Sequence, residues 1–130
     1  MSEAARNLAL GERYMQAVTD CDVEAVRSIY APDARIWHNF DQAVQSVEDN
    51  LRTLQWIHGK LDGIQYEVVR REPIPSGFYQ QHILRGKLPS GVEFEMPACA
   101  IVKIENDRIV SLDEYLDTAH TQALSSTESA

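Results

Sequence analysis

Apolar positions recur at helical spacing through the first sixty or so residues and alternate at strand spacing after that. Leu8, Gly11, Met15 and Val18 repeat every three or four positions, with Tyr14 beside them, which predicts a helix over 3–20. Gly11 costs such a helix roughly 1 kcal/mol against Ala, so another element is expected to approach closely there. Asp22 reads as an N-cap with Glu24 in the first turn, and Val23, Val26 and Tyr30 form the stripe of a short second helix. Pro32 ends it. A strand follows over 34–40, with Ile36, His38 and Phe40 on one face and Arg35, Trp37 and Asn39 on the other.

After a loop at 41–45, Ser46 is placed to cap a third helix, with Glu48 and Asp49 in its first turn. Val47, Leu51, Leu54, His58 and Leu61 make its stripe, Trp56 lies off its centre, and Gly59 and Gly63 mark its end. Ile64, Tyr66 and Val68 then open a first long strand. Pro73–Gly77 is a turn, 78–87 a strand, 88–91 a hairpin turn, 92–105 a strand, Asn106-Asp107 a tight turn and 108–116 the last strand. The stretch 118–130, rich in Ser, Thr and Ala without a stripe, is expected to be a mobile tail after a single domain over 1–117.

Consecutive strands joined by short turns form an antiparallel sheet, and the helices must cover one of its faces. Met96–Ile104 is apolar at nearly every position, on both faces of its strand. Burial on both sides predicts helices against one face and a second copy of the chain against the other, a homodimer through the open face of the sheet.

Composition narrows the functions. Of 130 residues, 44% are hydrophobic and 25% charged, and 20 acidic against 12 basic residues give a net charge of −8. That balance argues against nucleic acid or an anionic membrane as partner, since both need a basic surface. The N-terminal stretch lacks the apolar core of a signal peptide and no apolar run is long enough to span a bilayer, so the expected compartment is the cytoplasm. Cys21 and Cys99 are then expected as free thiols. The four His are scattered, and there is no phosphate loop or dinucleotide fingerprint, so neither a metal nor a cofactor is expected.

Two segments carry a family likeness. One runs Arg13-Tyr14-Met15-Gln16-Ala17-Val18, Asp22-Val23-Glu24-Ala25-Val26 and Ile29-Tyr30-Ala31-Pro32-Asp33-Ala34. The other is Asn106-Asp107-Arg108-Ile109-Val110 followed by Asp113-Glu114-Tyr115-Leu116-Asp117. With the element order, they resemble the NTF2-like superfamily and, within it, SnoaL-like and ketosteroid-isomerase-like proteins. The resemblance implies an α+β fold: a cystatin-like cone, in which a curved antiparallel sheet wraps around three N-terminal helices and leaves a conical pocket. The superfold hosts isomerases, dehydratases, cyclases, epoxide hydrolases and binding proteins, so fold alone does not choose among them.

By the same resemblance, Tyr14 matches the isomerases' oxyanion-stabilising tyrosine, His38 falls at their aspartate base and Cys99 at their protonated aspartate. A thiol is a poor donor, which argues against steroid isomerisation proper. Glu114 falls near a catalytic aspartate of limonene epoxide hydrolase-like members. Their Arg and second Asp have no match in Tyr79-Gln80-Gln81-His82. His82 lies on the strand that supplies a pocket histidine in some cyclases and dehydratases.

Each candidate has a plainer reading. His38 could be a core histidine bonded to backbone, and His82 could line the pocket or be structural. His58 reads as packed and His120 as outside the chemistry. Glu114, between Leu112 and Leu116, is a costly buried carboxylate unless it works or is paired with His38 or His82. Trp37, Asn39, Trp56, Leu54, Cys99 and Leu116 are the expected wall of the pocket.

The expected activity is cofactor-free acid/base chemistry of an isomerase, dehydratase or cyclase type on a small, largely apolar carbonyl or hydroxyl compound. His38 would be the base, Tyr14 the donor to the developing oxyanion, and Glu114 with His82 the second acid or the group that orients the base. The alternative is a module of the same fold that binds a small ligand or assembles as a dimer without turnover.

Overall fold

The computed structural model describes residues 1–125. Three helices begin at side-chain caps. Ser2 accepts from Ala5 N at the start of α1 (Glu3–Thr19), and Asp22 accepts from Ala25 N before α2 (Val23–Ile29). Ser46 and Asp49 form a reciprocal capping box before α3 (Val47–Lys60).

The second helix ends one residue sooner than its stripe suggests. Tyr30 is extended (φ −76°, ψ 143°) and opens β1 (Tyr30–His38), because its backbone pairs with Ile109. The loop at 41–45 contains a two-residue strand, β2 (Val44–Gln45), that no alternation marks. Four long strands follow: β3 (Asp62–Ile74), β4 (Gly77–Lys87), β5 (Glu93–Glu105) and β6 (Arg108–Leu116). At the β3–β4 turn only a glycine fits, since a Cβ on Gly77 would lie 1.8 Å from Val102 O. Asn106 and Asp107 both take positive φ, as a two-residue hairpin requires.

The six strands form one curved sheet in the order β2-β1-β6-β5-β4-β3, wrapped around the helices as the sequence predicts. One ladder departs from the antiparallel expectation: β1 runs parallel to β6, with His38 opposite Glu114. The main core fills the concave side, where Leu10, Met15 and Val18 of α1 and Leu51 and Leu54 of α3 meet Ile36, Phe78, Val102, Ile109 and Leu112. The close approach expected at Gly11 is present. A Cβ there would lie 2.8 Å from Phe78 Cζ and 2.9 Å from Arg71 Nε.

Along β5 the concave face takes Phe94, Met96, Ala98, Ala100, Val102 and Ile104. Cys99 and Ile101 look outward and are half-buried even in the single chain. The tail expected to be mobile carries a helix instead, α4 (Thr118–Ser125). Its Leu124 is buried among Leu61, Leu84, Phe94 and Met96, which a stripe of one residue does not announce. Residues 126–130 of that tail lie outside the described residues. Among the described residues no helix is long and apolar enough to cross a membrane.

Candidate active site

Three polar side chains meet on the concave face because of a gap in the strand between them. His82 on β4 and Glu114 on β6 are two strands apart, about 10 Å by strand spacing. On β5 between them stand Ala98 and Ala100, the register partners of His82 and Glu114. These short side chains leave the space in which His82 Nε2 comes within 3.2 Å of Glu114 Oε2. From the other side His38 Nε2 lies 3.2 Å from Glu114 Oε1. His38 and His82 are 7% and 5% exposed, so the group is desolvated.

Burial opposes ionisation of Glu114, but the hydrogen bonds that His38 and His82 direct at it outweigh burial and hold the carboxyl at a pKa of about 2. An ionised carboxylate only accepts, so each imidazole presents Nε2–H to it. The remaining nitrogens differ. His82 Nδ1 lies 2.9 Å from Gln80 Nε2. Among the described residues His38 Nδ1 is buried without a hydrogen-bond partner.

The three groups line a cavity of about 90 Å³ between the sheet, α1 and α3. Its other walls are mostly apolar and include Met15, Leu54, Ile57, Phe78 and Val102. Tyr14 and Tyr66 also face it. Tyr14 Oη is 2.7 Å from Tyr30 Oη, and Tyr30 donates to Asn50 Oδ1 at 3.1 Å. Asn50 in turn donates to Gln45 Oε1, which fixes its amide. With the Tyr30 proton on Asn50, the Tyr14 proton falls on Tyr30. Burial and then the neighbouring Tyr30 push the Tyr14 phenol well above its ordinary pKa, and burial raises Tyr30 and Tyr66 as well.

The expected set of His38, Tyr14, Glu114 and His82 therefore lines one cavity, and Leu54 lines it too. The carboxylate has both partners that its plainer reading named. The rest of the expected wall lies elsewhere. Trp37 packs edge-on against Tyr115 at 5.3 Å, on the outer face shared with Cys99, which pairs with Tyr115 in register. That places Cys99 away from the pocket, and Ala100 takes the inward position beside it. Asn39 exchanges two hydrogen bonds with the Leu116 backbone and ties the end of β1 to β6. Leu116 packs in the satellite core near α4. Trp56 is 37% exposed, with Lys60 over its ring. His58 is packed, its Nε2 at 2.9 Å from Val18 O.

Sequence reasoning passed over Tyr30, Asn50, Gln80 and Arg71. Gln80 was visible, two residues before His82 on the same face of the strand. Tyr30 was hidden by its place in a helical stripe, and Asn50 by a polar position on the third helix. Both imidazole Nε2 atoms are spent on the carboxylate. Among the described residues no group of three or more His, Cys, Asp and Glu is arranged to hold a metal ion.

Solved structures share this architecture at low identity. PrhC from Penicillium brasilianum superposes with a TM-score of 0.86 at 11% identity, covering 97% of this chain and 89% of its own. IdmH from Streptomyces antibioticus, a candidate polyketide cyclase, gives 0.81 at 18%, covering 92% and 98%. A protein of ketosteroid-isomerase-like fold from Catenulispora acidiphila, in complex with trimethylamine, gives 0.76 at 13%, covering 90% and 92%. No curated protein sequence matches the chain significantly. Residues 11–112 match the SnoaL-like domain family, a span that holds Tyr14, His38 and His82 and stops just short of Glu114. The chain belongs to the SnoaL-like domain family.

Proposed function

We propose that this chain is a cofactor-free acid/base enzyme of the isomerase, dehydratase or cyclase type, acting on a small, largely apolar compound with a carbonyl or hydroxyl group. The observation that carries this reading is the His38 imidazole. Its ring lines the apolar cavity, its Nε2 lies 3.2 Å from Glu114 Oε1, and its Nδ1 is buried without a hydrogen-bond partner among the described residues. A neutral imidazole held in that way is a general base with its accepting atom uncommitted. Glu114 fixes the tautomer and stabilises the imidazolium that forms when His38 takes a proton.

Tyr14 faces the same cavity, but its proton is engaged by Tyr30. It helps a developing oxyanion only if the Tyr14–Tyr30–Asn50 chain reverses, so its share in the reaction is smaller than that of the base. The cavity, about 90 Å³, is below the 300–1,000 Å³ that drug-sized ligands occupy. It suits a small molecule or the reacting end of a larger one. A panel of small cyclic ketones, enols and secondary alcohols, followed by thermal shift and by turnover, tests the reading. Replacing His38 with Ala is expected to lower turnover about 10²–10⁴-fold, and Tyr14→Phe far less. Full activity in both variants refutes the assignment.

A second reading is a binding module without turnover. It is favoured by the commitment of the Tyr14 proton, and by the trimethylamine complex of the Catenulispora acidiphila neighbour. Ligand binding in the panel with no product from any compound would support it. In either reading the chain is proposed to pair as a homodimer through the outer sheet face.

A further inference from the structure

The two histidines on Glu114 look equivalent at the carboxylate and are not equivalent behind it. Behind His82 runs a chain whose every hydrogen is determined. Arg71 on β3 donates through Nε to Gln80 Oε1 at 2.7 Å. A guanidinium only donates, so the oxygen end of the Gln80 amide must face Arg71. The amide nitrogen then faces His82 Nδ1 at 2.9 Å and Met15 Sδ at 3.1 Å. An amide nitrogen only donates, so His82 Nδ1 must be a bare acceptor. The single ring proton of His82 sits on Nε2, facing Glu114.

The position of Arg71 is itself built in. Its side chain passes under α1 where Gly11 has no Cβ, and the guanidinium lies 5.8 Å from the Phe78 ring. Among the described residues no comparable chain stands behind His38, whose Nδ1 has no partner there.

We infer that Arg71 and Gln80 are positioning residues that lock His82 in its neutral Nε2–H form, so that His38 alone of the pair can take a proton. Protonating His82 on Nδ1 would set a donor against the Gln80 amide, and that amide cannot turn without losing Arg71. His82 is thus a fixed donor that shares the carboxylate, and His38 is the imidazole whose second nitrogen is left uncommitted. The ionisable groups around His82 are Glu114 on β6, His38 on β1, Tyr14 on α1, and Tyr66 and Arg71 on β3. Among them only Glu114 is an anion near neutral pH, and its second oxygen is held by His38.

This inference rests on His38 serving as the base, yet its test needs no substrate. The test is the nitrogen and proton NMR of the four imidazole rings in the full chain, followed through acid and neutral pH. His82 is expected to keep the two widely separated nitrogen shifts of a neutral ring with its proton on Nε2, while His38 moves to the cationic pattern. Gln80→Glu preserves shape but replaces the donor facing Nδ1 with an acceptor. His82 in that variant is expected to lose the neutral pattern and become an imidazolium between two carboxylates.

A wild-type His82 that carries its proton on Nδ1, or that becomes cationic before His38, overturns the inference, and so does a Gln80→Glu spectrum unchanged from wild type. The wild-type spectrum decides even if that variant fails to fold. Where a substrate is in hand, Gln80→Glu is expected to lower kcat and add a second ionisation to its pH profile. Loss of turnover in His38→Ala with an unlocked His82 would sink the lock and leave the base assignment standing.

Discussion

His38 and Glu114 are register partners across the parallel β1–β6 ladder, and their side chains meet at 3.2 Å on the buried face. Backbone pairing therefore sets their separation, and no loop has to close to bring them together. Replacing Glu114 with Gln leaves the shape but removes the charge that fixes the His38 ring. Turnover of an identified substrate is expected to fall on the order of 10²-fold, as for other displaced catalytic groups. Steady-state kinetics beside His38→Ala should show the smaller loss in Glu114→Gln, because the base itself remains.

The same carboxylate predicts an acid limb of stability. Its pKa in the folded chain, about 2, lies below the ordinary 4.5, so the folded state prefers the ionised form. That contribution is complete above 4.5 and is lost as pH falls from 4.5 towards about 2. It is on the order of 3 kcal/mol when complete. Urea denaturation across this window should show wild-type stability falling with acid and a flatter curve for Glu114→Gln. Parallel curves would mean that the charge is not held by the two imidazoles.

Ala100 is predicted to be as necessary to the site as the residues that touch each other across it. A Leu there would occupy the space between His82 and Glu114. Overpacking is expected to cost about 1–3 kcal/mol and to break the His82–Glu114 hydrogen bond. Thermal denaturation reads the first effect and the His82 ring spectrum the second.

The outer face yields the fourth prediction. Trp37, Cys99, Ile101 and the exposed Tyr115 form a partly apolar strip there, with Asp113 between Trp37 and Ile101 in the ladder. A homodimer that buries this strip should sediment at twice the chain mass, and Ile101→Arg should return it to monomer without changing the cavity. A wild-type monomer at micromolar concentration would remove the proposed pairing.

What the sequence disclosed follows from which interactions are local. Helix caps at Asp22 and Ser46, the alternation that opens β3 and the turns between β3 and β6 depend on neighbours in the chain, and these elements were readable. His38, Glu114 and His82 were readable as polar residues on apolar faces. Which of them touch was not, because contact depends on the parallel β1–β6 register and on two alanines in a third strand. Tyr30 misled for a related reason. Its spacing fits a helix, and only pairing with Ile109, far along the chain, makes it a strand. Cys99 went astray by one position, and in a strand one position reverses the face.

The parallel ladder also governs when the site comes into being. His38 lies on the first strand of the sheet and Glu114 on the last in chain order, so the pair cannot form until nearly the whole domain is available. A growing chain could fold its helices and the β3–β4 hairpin earlier, but its acid/base centre would be missing. Contacts this distant in sequence slow folding, since a long loop must be closed before they are gained. Assembly of the His38–Glu114 pair thus reports completion of the fold, and chemistry at this site is confined to fully folded domains.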